Sequence, residues 1–447
     1  MFPAPHHPPL ILSRKQLRAV GAAAACASVL LVAACGGSSS SSAPQSGSSA
    51  AAADLTKQGP IEYWTGKDVS GNLPKLIDAF NAQHPQGKVT LHELPDAADQ
   101  QRQQMIQNTQ IKNPKMAVLS VDNVWTAEFA ANQWIIPLPE DQFDTSGFLK
   151  APVESAKYFN KLYAYPNTTD GGLLYYRKDL LDKYGISSAP TTWPDMLAAC
   201  EKIRAGENDP KLECYAGQFQ KYEGLTVNVA EAIDGAGGEL TNADGKPDVN
   251  TPEAMKGLSF LTDGFKNGYI PKQATTWQEE ESRTAFQNGN LLFLRNWAYV
   301  YNHAAEDSSS KVKGKFGVAP LPGLAGPGVS SLGGHNLAIA TNADNKGTAA
   351  DFIKYMSSEE VAKSNTLATS QAPVNADLYT DKDVLAKFPA FPILLKSVET
   401  AKPRPKVVNY GDATLAIQDN TYAALQQQAS PQDALAAMQT KLSSIIK

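Results

Sequence analysis

Between Ile61 and Val121 the chain alternates two periodicities, and this alternation restricts the fold more than any other stretch. Ile61-Glu62-Tyr63-Trp64 has the composition of a strand and ends in a polar loop over residues 65–72. Leu73, Leu76, Ile77 and Phe80 follow at i, i+3, i+4 and i+7, one face of a helix. Residues 89–91 read as a second strand, a polar helical stretch starts at Asp99, and residues 116–121 form a third strand ending at Asp122-Asn123. Strand, helix, strand, helix, strand predicts a parallel α/β sheet, because parallel neighbours need a crossover to reach one another.

The pattern continues downstream. Residues 161–166 read as the start of a new unit, with residues 171–176 as its next strand. Thr192 can cap a helix that carries Leu197, Cys200 and Ile203 on one face, with Asp195 three residues on. Residues 316–320 and 336–340 are strand-like. The second leads to a helix with Ala349, Phe352, Ile353 and Met356 on one face. Ser357-Ser358-Glu359-Glu360 caps the next helix. Ser430-Pro431 opens the last, with Leu435, Met438, Leu442 and Ile445 inward. No internal repeat is evident.

The N-terminal region has a different character. Arg14, Lys15 and Arg18 precede an apolar run over residues 19–34, and a Ser/Gly/Ala-rich tract reaches Ala53. Charged, then apolar, then small residues are the pattern of a secretory signal. The ending Val32-Ala33-Ala34-Cys35 resembles a bacterial lipoprotein lipobox, which implies a diacylglycerol on the Cys35 sulfur and Cys35 as the mature N-terminus. An ordinary signal with an incidental cysteine is the alternative. The expectation is therefore a signal peptide over 1–34, a tether over 35–58, and an extracytoplasmic protein held to the cell membrane only by lipid. The remaining residues, roughly 390, exceed one hydrophobic core and suit two lobes. No other apolar run approaches the roughly 18–20 residues of a spanning helix. The formal charge of −5 falls to −8 once Arg14, Lys15 and Arg18 leave with the signal. Such an acidic chain argues against nucleic acid as a partner.

Of the four cysteines, Cys26 lies in the signal and Cys35 is the lipid acceptor. Cys200 and Cys214 are left as an even pair in an oxidising compartment, which predicts a disulfide, with two free thiols as the alternative. His84, His92, His303 and His335 show no paired ligand spacing, so no metal or other cofactor is expected. There is no Gly-x-Ser-x-Gly elbow. Residues 235–238 are not a dinucleotide fingerprint. Residues 242–248 lack the downstream Glu of a calcium loop and read as a turn. Glu279-Glu280-Glu281 reads as a solvated helix start.

Several segments, in order, resemble extracytoplasmic sugar-binding proteins of ATP-binding-cassette importers. They include Gly171-Gly172-Leu173-Leu174-Tyr175-Tyr176-Arg177-Lys178-Asp179-Leu180-Leu181, followed by Pro190-Thr191-Thr192-Trp193. Also similar are Ala285-Phe286-Gln287-Asn288-Gly289-Asn290, Arg295-Asn296-Trp297-Ala298-Tyr299, the run 317–323, Ser331-Leu332-Gly333-Gly334-His335 and Ala401-Lys402-Pro403-Arg404-Pro405. The similarity is closest to the trehalose/maltose-binding lipoproteins and spans nearly the whole mature chain. It implies a two-lobed α/β fold of the type II periplasmic-binding-protein class, with a cleft between lobes joined by a multi-strand hinge. The lobes would be 59–167 with 332–371, and 168–331 with 372–447. The implied role is a monomeric, non-catalytic receptor. It would bind an α-linked disaccharide such as trehalose or maltose and partner the transmembrane subunits of an importer. A binder of another glycoside or of a glycerol phosphodiester is the alternative. From another class, so is a lipid-anchored glycoside hydrolase.

A neutral sugar presents apolar C–H faces, which lie against aromatic rings, and hydroxyl rims, which charge-assisted hydrogen bonds clamp best. Trp297 and Tyr299 match the family's stacking aromatics, with a core Trp as the bland alternative. Asp122 and Trp125 follow the third strand, where α/β crevices open at carboxyl ends, although Asp122 can equally serve as a helix cap. Asp170 matches a hydroxyl-accepting Asp of the family, or is a simple turn residue. Arg404 is fixed between Pro403 and Pro405 and suits hydroxyl clamping, a surface arginine being the alternative. Gly333-Gly334 would bring backbone N–H groups near the ligand, and His335 stands where many relatives carry Trp. Gly66 and Asp68, at the end of the first strand, complete the expected set.

Overall fold

The computed structural model describes residues 54–447. The signal, Cys26, Cys35 and the tether up to residue 53 lie outside the described residues. Thirteen strands occur among the described residues: β1 Ile61–Gly66, β2 Val89–Leu94, β3 Met116–Asp122, β4 Lys157–Tyr158, β5 Lys161–Leu162, β6 Tyr165–Pro166, β7 Asp170–Gly171, β8 Leu173–Arg177, β9 Glu213–Ala216, β10 Leu291–Asn296, β11 Phe316–Ala319, β12 Leu332–Gly333 and β13 His335–Ile339. None of the helices among these residues is long and apolar enough to cross a membrane.

The first sheet has the order β2-β1-β3-β13-β6. Its β1, β2 and β3 run parallel, as the alternating pattern requires, and β13 and β6 add antiparallel pairs. Every residue of β3 is buried, because helices cover both of its faces. The helix Leu73–Gln83 turns Leu76, Ile77 and Phe80 into this core, on the face its spacing predicts. Residues 161–166 differ from expectation: β5 closes a hairpin with β4, and β6 pairs with β13 in the first sheet. A two-residue strand is too short to carry a period, so its sheet is set by the partner it meets.

The second sheet has the order β11-β8-β10-β9. Leu174 and Phe293 lie in the core on one face, and Leu173, Tyr175 and Leu294 in the core on the other, following strand alternation. Thr192 caps the helix Trp193–Glu207 by accepting from Asp195 N, and that helix buries Met196, Cys200 and Ile203. Cys200 and Cys214 form the expected disulfide, which ties this helix to β9.

Four segments of chain run side by side between the two sheets. β7 pairs antiparallel with β12, Thr168 bridges Pro373, and Ser331 bridges Lys402. Gly334 sits where the passages are tightest. Its φ is +107°, and a Cβ there would lie 2.3 Å from Thr168 O, so only glycine fits.

Candidate functional site

Two clusters flank β12. The first gathers Asp122, Gly334, His335 and Arg404. Asp122 ends β3 at the carboxyl edge of the parallel strands and lies opposite His335 of β13. Its Oδ1 accepts from Val124 N at 3.2 Å and from Arg404 Nη2 at 3.0 Å. Arg404 is 3% exposed. Its Nη1 donates to Glu223, and Nη2 also reaches Leu332 O at 3.4 Å. Its Nε is buried without a partner among the described residues. Glu223 heads the helix Glu223–Gly235 in the second sheet's region, and further accepts from Tyr410 and Thr414 Oγ1. Burial pushes the Glu223 carboxyl up to about 7, against the pull of Arg404. The same burial holds the His335 imidazole below its usual range, so the neutral ring is favoured beside Asp122 and Arg404. Asp99, on the helix Ala98–Gln110, accepts from Glu223 N at 2.7 Å. The Gly334 carbonyl accepts from Asn123 N at 3.2 Å.

The second cluster gathers Asp170, Trp297 and Tyr299. Trp297 remains half-exposed although its neighbours Arg295, Asn296 and Ala298 are buried. The Arg295 guanidinium lies 3.8 Å from the indole centroid, a close cation–π stack. Gly333 brings its backbone against the ring, since a Cβ there would meet Trp297 Cζ3 at 2.9 Å. Asp170 Oδ1 accepts from Gly171 N at 2.9 Å and Ala298 N at 3.3 Å, which fixes the turn after β10. Burial raises the Asp170 carboxyl to about 7, and those two bonds only partly offset it. Tyr299 donates its hydroxyl to Glu280 Oε1 at 2.6 Å, and Tyr222 donates to Glu279 Oε2 at 2.7 Å. Burial raises the Glu279 carboxyl as well, against hydrogen bonds that include those of Tyr222 and Trp297. Glu279 and Glu280 are thus half-buried members of the aromatic cluster rather than a solvated helix start.

The other expected residues have different surroundings. Trp125 is 1% exposed and stacks on Phe129 in the first sheet's core. Asp68 spends its oxygens on Ser70 N, Ser70 Oγ and Leu73 N, at 2.9, 2.6 and 3.1 Å. That is a local cap on the helix Leu73–Gln83. Gly66 packs against Gln101, where a Cβ would meet Nε2 at 2.7 Å.

Comparison with known proteins fits this architecture. The model of the bacterial extracellular solute-binding protein family matches residues 64–363. The chain belongs to that family. A probable ABC transporter-binding protein of Deinococcus radiodurans is 34% identical to this solute-binding protein over 380 residues, covering 83% of this chain and 89% of the relative. A mannitol-binding protein of Pseudomonas aeruginosa is 22% identical over 340 residues, 74% of this chain and 77% of the relative. Among solved structures, maltose-bound MalE3 of T. maritima superposes with a TM-score of 0.82 at 32% identity, covering 86% of this chain and 99% of its own. The fold is the two-lobed α/β architecture of these binding proteins.

Sequence reasoning missed Glu223, Glu231, Tyr410, Tyr222 and Glu279. Glu223 and Glu231, both on the helix Glu223–Gly235, left a readable signal: each sits in a segment otherwise rich in Leu, Val, Ala and Ile. A carboxylate in such a segment is retained when it has a buried partner.

Proposed function

We propose that this solute-binding protein captures a neutral saccharide, an α-linked disaccharide such as trehalose or maltose, between its lobes. It then delivers the sugar to the transmembrane subunits of an ABC importer. The lobes are 59–167 with 332–371, and 168–331 with 372–447, and the protein acts as a monomer without catalysing a reaction. Cys35 anchors it by lipid outside the cytoplasm. The observation that carries this reading is the partly exposed Trp297, backed by Arg295 at 3.8 Å and packed on Gly333 beside Asp170. A flat apolar surface with ionisable groups at its edge matches the two kinds of surface a sugar presents. Asp122, His335 and Arg404 supply a second polar rim from across β12, with Arg404 Nε as an unused donor. Maltose bound to the similar T. maritima protein supports the disaccharide class.

Calorimetric titration with trehalose, maltose and glucose tests the proposal. Micromolar binding of a disaccharide, about −8 kcal/mol, is expected. Trp297→Ala should weaken it at least tenfold, about 1.4 kcal/mol, while leaving the fold intact. Glucose released from either disaccharide, or no saccharide bound, would overturn it.

A further inference from the structure

Trp297 is joined to the passages between the sheets by a buried ion pair. Glu231 takes Arg295 in a two-pronged contact, Oε2 from Nε and Oε1 from Nη2, both at 2.6 Å. Gln218 Oε1 receives the remaining arm, Nη1, at 3.0 Å. The face of that guanidinium lies on the Trp297 ring. The same Glu231 Oε1 accepts from Ser331 N at 3.1 Å, immediately before β12. Ser330 Oγ lies 3.3 Å from Glu231 Oε1 and accepts from Gly172 N at 2.5 Å, immediately after β7. Gly172 is itself pressed on the pair: a Cβ there would lie 2.7 Å from Glu231 Oε1 and 2.9 Å from Arg295 Nη2. Both passages of the β7–β12 ladder therefore lean on one carboxylate, and that carboxylate orients the cation beneath the indole.

We infer that Glu231 is a positioning residue that couples the stacking surface of Trp297 to the state of the hinge. The inference rests on the reading of Trp297 as a sugar platform. A planar guanidinium gripped at three nitrogens cannot tilt independently of its carboxylate. Ser331 and Gly172 are where the second lobe runs into the β7–β12 ladder, so a hinge rotation that distorts this ladder strains the Ser331 N–H bond to Glu231. Losing that bond leaves a buried carboxylate with one donor fewer, which is unfavourable. Loading the ring and holding the ladder in this arrangement then favour the same hinge position. Glu231 touches no ligand in this scheme; it acts through Arg295 and through the backbone of Ser331.

The test is a double-mutant cycle on the full mature protein with the disaccharide that binds best by calorimetry. Glu231→Gln keeps the shape of the side chain and removes its charge. It is expected to lower affinity about tenfold in the Trp297-containing protein and less than about twofold in the Trp297→Ala background, because coupled residues are not additive. The Trp297 contribution to fluorescence, taken as the difference from Trp297→Phe, should shift in Glu231→Gln, and small-angle scattering should show less compaction at saturating sugar. Equal losses in both backgrounds would mean a purely structural role and would overturn the inference. If Glu231→Gln does not fold, Ser330→Ala cuts the link to Gly172 and leaves the ion pair intact; the same cycle run with it decides the matter. Failure of the unsubstituted protein to bind any saccharide would instead overturn the functional reading on which the inference stands.

Discussion

The two buried arginines of this protein are built on opposite plans. Arg295 is 1% exposed, and each of its nitrogens has a partner within the second sheet's region. Arg404 is 3% exposed but reaches Asp122 at the end of β3 with one nitrogen and Glu223 with another, and Nε has no partner among the described residues. Arg295 is therefore held within one region, whereas Arg404 joins the end of β3 in the first sheet to a helix packed in the second sheet's core. Full internal pairing makes a rigid support. Incomplete pairing across two regions leaves an arginine that still has a donor to give.

The sharpest way to break this comparison is to remove each cation. Arg295→Met strands Glu231 in the core and should cost about 3–5 kcal/mol in urea unfolding. Arg404→Met should cost less, about 1–3 kcal/mol, because Glu223 keeps Tyr410 and Thr414 as donors. Equal losses would erase the distinction. A milder change sharpens it: Arg404→Lys keeps the charge but loses the fork. In that variant the sugar-free particle should expand in small-angle scattering, while Arg295→Lys should not expand it.

Acidity offers a third comparison. The Asp170 carboxyl is raised to about 7 from an ordinary value near 4, so the folded form holds its proton more tightly than the unfolded chain does. The stability this contributes is complete below about pH 4 and is lost as pH climbs through about 7. Asp170→Asn should flatten the urea midpoint across that window, and an unchanged profile would assign the dependence to other groups. The smallest effect is expected at Trp125, which lies wholly within a core. Trp125→Phe should lower the melting temperature yet leave disaccharide affinity within about twofold.

Much of this architecture was readable before any coordinates. Helix and strand periods specified β1 to β3 and the helices between them, because a face that must be buried imposes its spacing on the sequence. The even cysteine pair pointed to the bridge between Cys200 and Cys214. What escaped was burial decided by distant partners. Nothing local distinguishes Glu279 from a solvated helix start, since the Tyr222 hydroxyl that meets it lies 57 residues away. Likewise Trp125 follows a strand end just as a ligand contact would, and only its stacking on Phe129 reveals a core residue. Arg404 stood out through its flanking prolines, but its carboxylate Glu223 lies 181 residues earlier.

The bridge at Cys200 has one more implication. It fastens β9, the outermost strand of its sheet, to the helix Trp193–Glu207. A border strand exposes backbone groups that a foreign chain can zip onto. Covalent attachment keeps that margin from peeling away, so reducing agents should promote self-association before they abolish ligand capture.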